Sequence, residues 1–166
     1  MLSSSNSEGD LLPDLPGGVS YTIDPERVPP TEPISLGPRP EGSIRLTTYN
    51  VKNPGILNEE RAPHFRRIFE AIDADIWLLQ EQNSTGAGLS ARLSSWFPGS
   101  RWYVTADHRW NLTVSRYPIL YQGPLTVERR TIAALLDTSD VLGTHILVIN
   151  SHLPCCSNDE GRQEQA

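Results

Sequence analysis

Read for hydrophobic periodicity, the chain changes character near residue 43. Residues 1–42 hold no apolar period, and eight of the 14 prolines fall before residue 41, among Ser, Gly, Asp and Glu. Such a segment cannot bury enough surface to offset its ordering entropy. It is expected to be a disordered arm, or a linker to an upstream domain. From Ile44 the pattern is that of a folded domain. Residues 44–51 (IRLTTYNV) alternate and are rich in β-formers, which predicts a strand. KNPG (52–55) is a turn signal. Over 59–73, Phe65, Ile68, Phe69 and Ile72 recur at helical spacing, with Pro63 tolerable only in the first turn. Residues 76–80 (IWLLQ) read as a strand buried on both faces. Leu89, Leu93, Trp96 and Phe97 mark a second helix, stopped by Pro98-Gly99. Strands then crowd at 101–105, 111–115, 131–136 and 145–150, with a hairpin turn expected at 140–144 around Gly143. The order β-α-β-α-β-β-β-β predicts a layered α/β (α+β) fold, a mixed β-sheet with helices on one face.

Composition changes this picture little. At 166 residues the chain suits one ordinary domain. Its 14 basic against 20 acidic residues give a net charge of −6, so phosphate contacts, if any, must come from a local patch or a metal ion. No stretch approaches the roughly 18–20 apolar residues of a membrane span. The N-terminus MLSSSNSEGD lacks the basic and apolar regions of a signal peptide, which leads to the expectation of a soluble protein. Cys155 and Cys156 are adjacent, so neither a disulfide framework nor a zinc site is read here. The sequons at Asn83 and Asn111 read as chance occurrences.

The chemistry is suggested by where apolar runs stop. IWLLQEQ (76–82) runs without a turn residue into Glu81 flanked by Gln80 and Gln82, although an idle strand end more often meets Gly, Pro, Asn or Asp. Period two puts Gln80 and Gln82 away from the face of Glu81. Asn50 follows RLTTY, and Asn150-Ser151-His152 follows ILVI. Taken singly these are a solvated strand end, a turn former and a surface histidine. Two of the strands flank a helix, however, so they can lie parallel with their carboxyl ends on one rim, where open α/β sheets place ligand sites. A carboxylate beside an amide oxygen suits a hard cation such as Mg²⁺. A nearby histidine suits acid–base work or a hydrogen bond to phosphate.

Four stretches in this order, RLTTYNVKN (45–53), DADIWLLQEQ (73–82), NLTVSRYPI (111–119) and LVINSHLPCC (147–156), followed by Arg162 and Gln163, resemble the endonuclease/exonuclease/phosphatase superfamily, whose fold is that of deoxyribonuclease I. The resemblance covers about 44–166. It implies a four-layer α/β sandwich and a Mg²⁺- or Mn²⁺-dependent hydrolase of phosphate esters, whether of nucleic acid, phospholipid or inositol phosphate. By motif, Glu81 is implied as the metal-ligating glutamate and Asn50 as the asparagine lining the metal and phosphate site. His152 is implied as the histidine on the scissile phosphate, and Asn111 as a further lining residue of the cleft. Arg116 within SRYP reads equally as structural or substrate-contacting. The family's G-D-x-N element and terminal D-H pair do not occur in the sequence. Residues 43–166 are therefore expected to be the N-terminal part of the domain, inactive as this fragment. The alternative is a catalytically incomplete binding or assembly module with the same fold.

Overall fold

Strand Ile76–Gln80 is buried at every position, because side chains of period two face different neighbours on its two sides. Trp77 and Leu79 join a core with Phe65, Phe69, Leu89, Leu93 and Trp96, while Ile76 and Leu78 join a second core with Ala134, Leu136 and Val148. The computed structural model that shows this describes residues 35–53, 55–82, 84–106, 111–126 and 130–152. Residues 1–34 of the expected arm over 1–42, and Cys155, Cys156, Arg162 and Gln163 of the sequence motifs, lie outside the described residues.

In chain order the elements are β1 (Leu46–Asn50), α1 (Ala62–Ile72), β2 (Ile76–Gln80), α2 (Gly86–Trp96), β3 (Tyr103–Val104), β4 (Leu112–Ser115), β5 (Ile119–Pro124), β6 (Thr131–Leu136), α3 (Ser139–Leu142) and β7 (Ile146–Ser151). The first sheet runs β1-β2-β4-β3, with β1 parallel to β2 and β4 antiparallel to it. It is the expected mixed sheet, and α1 and α2 supply the helical side of its first core. The second sheet, β5-β6-β7, is wholly antiparallel and packs against the other face of β2. Its far side leaves Tyr121, Leu147 and Ile149 exposed.

Two elements differ from the sequence expectation. Strand β5 went unpredicted because ILYQGP ends in Gly-Pro and lacks alternation; it survives as an edge strand with a register shift between Ile119 and Tyr121. The expected hairpin between the last two strands is present as β6–β7, but its connection carries the single-turn helix α3, closed by Gly143 in the left-handed region, whose N–H returns to the Ser139 carbonyl. Helix α1 starts at Ala62, so Pro63 falls in its first turn, where it removes no helical hydrogen bond.

The amino ends of β1 and β2 are tied by charge. Asp75 is buried and accepts the Arg45 N–H at 2.9 Å; Arg39 and Arg116 both reach its carboxylate. Arg116 also pairs with Asp73 at 2.6 Å and lies over the rings of Trp102 and Phe97. The C-terminal carbonyls of α1 are satisfied by the same neighbourhood, Ala71 by the Leu36 N–H and Ile72 by the Arg45 guanidinium. Residues 35–42, assigned by composition to the arm, thus contribute Leu36 and Arg39 to this base.

Asp75→Ala removes one acid shared by three donors and should cost about 3–5 kcal/mol, the range for breaking a buried pair by removing one partner. Urea unfolding measures it. A loss below about 1 kcal/mol, the range of exposed pairs, would mean that the cluster is solvated and contributes little.

Candidate functional site

The carboxyl ends of β1 and β2 meet at the opposite end of the sheet. Their pairing runs from Leu46↔Ile76 to Asn50↔Gln80, and the Val51 N–H extends it to the Gln80 carbonyl. The next residue, Glu81, has φ +57°, a left-handed conformation that costs a non-glycine residue roughly 1–2 kcal/mol. Lys52 and Asp73, the C-cap of α1, share this region; at Glu81 it falls at the end of a buried strand. It breaks the period of the strand and turns the carboxylate out to the rim.

Three of the four expected side chains meet there. Asn50 Nδ2 donates to Glu81 Oε1 at 2.9 Å, and His152 Nε2 lies 3.5 Å from the same oxygen. Asn50 in turn accepts the Lys52 N–H through Oδ1, which fixes its amide as the donor to Glu81. Asn111 stands one step away. It is wholly buried, and its Nδ2 donates to the Arg130 carbonyl, which also accepts the His152 backbone N–H at 2.9 Å. Its Oδ1 is buried and has no partner among the described residues. This burial also removes the Asn111 sequon from consideration as a glycosylation site in the folded chain. Arg116 lies at the far end of β4, engaged in its ion pairs with Asp73 and Asp75.

The two glutamines around Glu81 are not idle surface groups. Gln80 keeps the strand period, stays on the inter-sheet side and donates to Asn150 Oδ1 at 2.7 Å. Gln82 is 1% exposed; its Oε1 accepts the Ile56 N–H at 2.8 Å and its Nε2 reaches Ser84. Gly55 makes room for it: at φ +79°, a Cβ there would sit 2.5 Å from Gln82 Oε1. The buried Asn150 was a bystander in the sequence reading, and its contacts across sheets have no signature in a single sequence.

The donor set suits a hydrated hard cation. Glu81 Oε2 has no protein partner among the described residues, and Mg²⁺ commonly takes one or two carboxylates and keeps several waters. Among the described residues no three His, Cys, Asp or Glu cluster as a ready metal cage. Glu81 would hold such an ion, with Asn50 beside it. Among those residues, too, no helix is long and apolar enough to cross a membrane.

No family model and no curated protein matches the chain. Solved structures do. A humanized D. rerio TDP2 carrying 14 mutations is 18% identical, with a TM-score of 0.54 over 75% of this chain and 54% of that one. The endonuclease/exonuclease/phosphatase from Beutenbergia cavernae DSM 12333 is 19% identical, with a TM-score of 0.49 over 74% of this chain and 42% of that one. The chain therefore spans about half the length of the solved structures it matches. The likeness is one of fold, the deoxyribonuclease I-like type expected from the sequence.

Two substitutions test the local build. Glu81→Gly should keep stability within about 1 kcal/mol, since relief of the left-handed strain offsets the lost hydrogen bond, whereas Glu81→Val should cost clearly more. Equal stability of the two variants would remove the strain argument. Gly55→Ala should cost about 1–3 kcal/mol by driving Gln82 off the buried Ile56 N–H, and thermal unfolding against wild type reads it directly.

Proposed function

We propose that this chain carries the metal- and phosphate-holding residues of a divalent-metal-dependent hydrolase of phosphate esters, phosphodiesterase/endonuclease-like or phosphatase. The observation that carries this is Glu81, held in a strained conformation at the rim between Asn50 and His152. Mg²⁺ or Mn²⁺, when bound, supplies polarisation of a phosphoryl oxygen and charge stabilisation of the leaving oxygen. Glu81 contributes the negative charge that holds the cation. Asn50 orients Glu81 through Nδ2 and lies beside the cation that Glu81 would hold. His152, on the other side of the carboxylate, has Nε2 available to donate to a phosphate oxygen or to carry a proton. Asn111 acts beneath it, sharing the Arg130 carbonyl with the His152 backbone. In this reading residues 43–166, with the docked residues 35–42, are the N-terminal part of the catalytic domain, and the arm or linker to an upstream domain is confined to the residues before Ser35.

The second reading is a catalytically incomplete binding or assembly module with the same fold. Without groups that orient water and phosphate, a reaction forgoes up to roughly 7–11 kcal/mol of positioning. Both readings place the cation on Glu81 and differ in turnover.

Titration calorimetry with MgCl₂ should show binding by the 166-residue chain that Glu81→Gln weakens at least about 10-fold, since Gln keeps the shape and removes the charge. Fold should survive, because Glu81 lies at a partly solvated rim. The chain alone should not hydrolyse bis-p-nitrophenyl phosphate at a useful rate. Metal-dependent turnover would establish the hydrolase outright and overturn incompleteness. Mg²⁺ binding indifferent to Glu81 would overturn the site.

A further inference from the structure

Asn150 is a buried amide with an unusual set of partners. Its Nδ2 donates to the Leu79 carbonyl at 3.0 Å and to the Leu112 carbonyl at 3.1 Å, and its Oδ1 accepts Gln80 Nε2 at 2.7 Å. Gln80 Nε2 is also shared with Thr48 Oγ1 and the Leu78 carbonyl. Leu79 and Leu112 are paired residues of β2 and β4, in the first sheet. Asn150 belongs to β7, in the second. One side chain therefore fastens the two sheets together at the end where the rim lies.

The residues it fastens are the immediate neighbours of the site. Gln80 precedes Glu81, Leu112 follows Asn111, and Asn150 itself precedes His152 by two residues. Glu81 comes from the first sheet and His152 from the second, and their 3.5 Å approach crosses the gap between sheets. Below Asn150 that gap is filled by Ile76, Leu78, Ala134, Leu136 and Val148. Apolar packing sets a spacing but tolerates sliding; an amide making three directional bonds does not. The Glu81–Asn50 bond is internal to the first sheet and does not need Asn150.

We propose that Asn150 is a positioning residue that sets the register between the two sheets, and thereby holds His152 against Glu81. In assigning a metal to Glu81 this rests on the function proposed above, but the geometric claim does not.

The test uses the full 166-residue chain and histidine-ring NMR, with the His152 signals assigned by their loss in His152→Ala. In the wild-type background Glu81→Gln should shift the His152 ring resonances. In Asn150→Thr, which keeps a β-former with a single hydroxyl donor, the same Glu81→Gln change should produce a response smaller by about half or more, the non-additivity of coupled sites. Val148→Ala, a cavity variant of the same strand and the same inter-sheet face, serves as the control for simple destabilisation: its response should equal wild type. If Asn150→Thr does not fold, Asn150→Asp, which keeps the shape and removes both N–H donors, takes its place. An undiminished response in a folded Asn150 variant, or the same decrease in Val148→Ala, would overturn the proposal. If the wild-type chain binds no Mg²⁺, the function proposed above fails, while the ring-resonance cycle still decides the role of Asn150.

Discussion

A strand buried on both faces cannot give a side chain to solvent until it ends. This constraint on β2 organises everything else. Trp77 stacks on Phe69 with ring centroids 3.8 Å apart, committing one face to the helices, and Leu78 commits the other to the second sheet. Only the first residue beyond the ladder is free to carry chemistry, and it must leave the strand direction to do so. The left-handed backbone of Glu81 is that departure. Because β1 lies parallel alongside, its own last residue, Asn50, arrives at the same height to receive the carboxylate.

The two ends of β2 solve the problem of buried polarity differently. At the base, Asp75 is surrounded by arginines, and charge is compensated by charge at the margin of the fold, where Arg39 and Arg116 keep partial contact with water. At the rim, neutral amides do the joining: Gln80, Gln82 and Asn150 are all buried and all hydrogen-bonded. An amide offers two donors and an acceptor without the desolvation penalty of an ion. That leaves Glu81 as the partly exposed acid at the rim, with Asn50 and His152 as its neighbours.

Most of this fold was legible because burial writes periodicity into sequence. The strands at β1, β2, β4, β6 and β7 and both long helices stand where alternation or helical spacing put them, and the convergence of Asn50, Glu81 and His152 followed from strands ending on one rim. Edge elements were harder. Strand β5 pairs on one side only and tolerates Gly123 and Pro124, so its sequence carries a weak pattern. The amides were opaque for another reason. Gln80, Gln82 and Asn150 look polar and therefore exposed, while their burial depends on hydrogen-bond partners up to 71 positions away in sequence, beyond the reach of any local rule. The αL turn at Glu81 also undid the simple alternation that would have pointed Gln82 away from the protein interior into a harmless position.

The docking of residues 35–39 onto the base has a mechanical consequence. A pull transmitted along the chain from the N-terminal side does not first load β1, an edge strand whose ladder would unzip one bond at a time. It meets the Leu36 bond to Ala71 and the Arg39 pairs with Asp73 and Asp75, anchors on the helix end and on the start of β2. The load is taken up at the end of the sheet remote from Glu81, so tension at the arm and geometry at the rim are separated by the length of the strand.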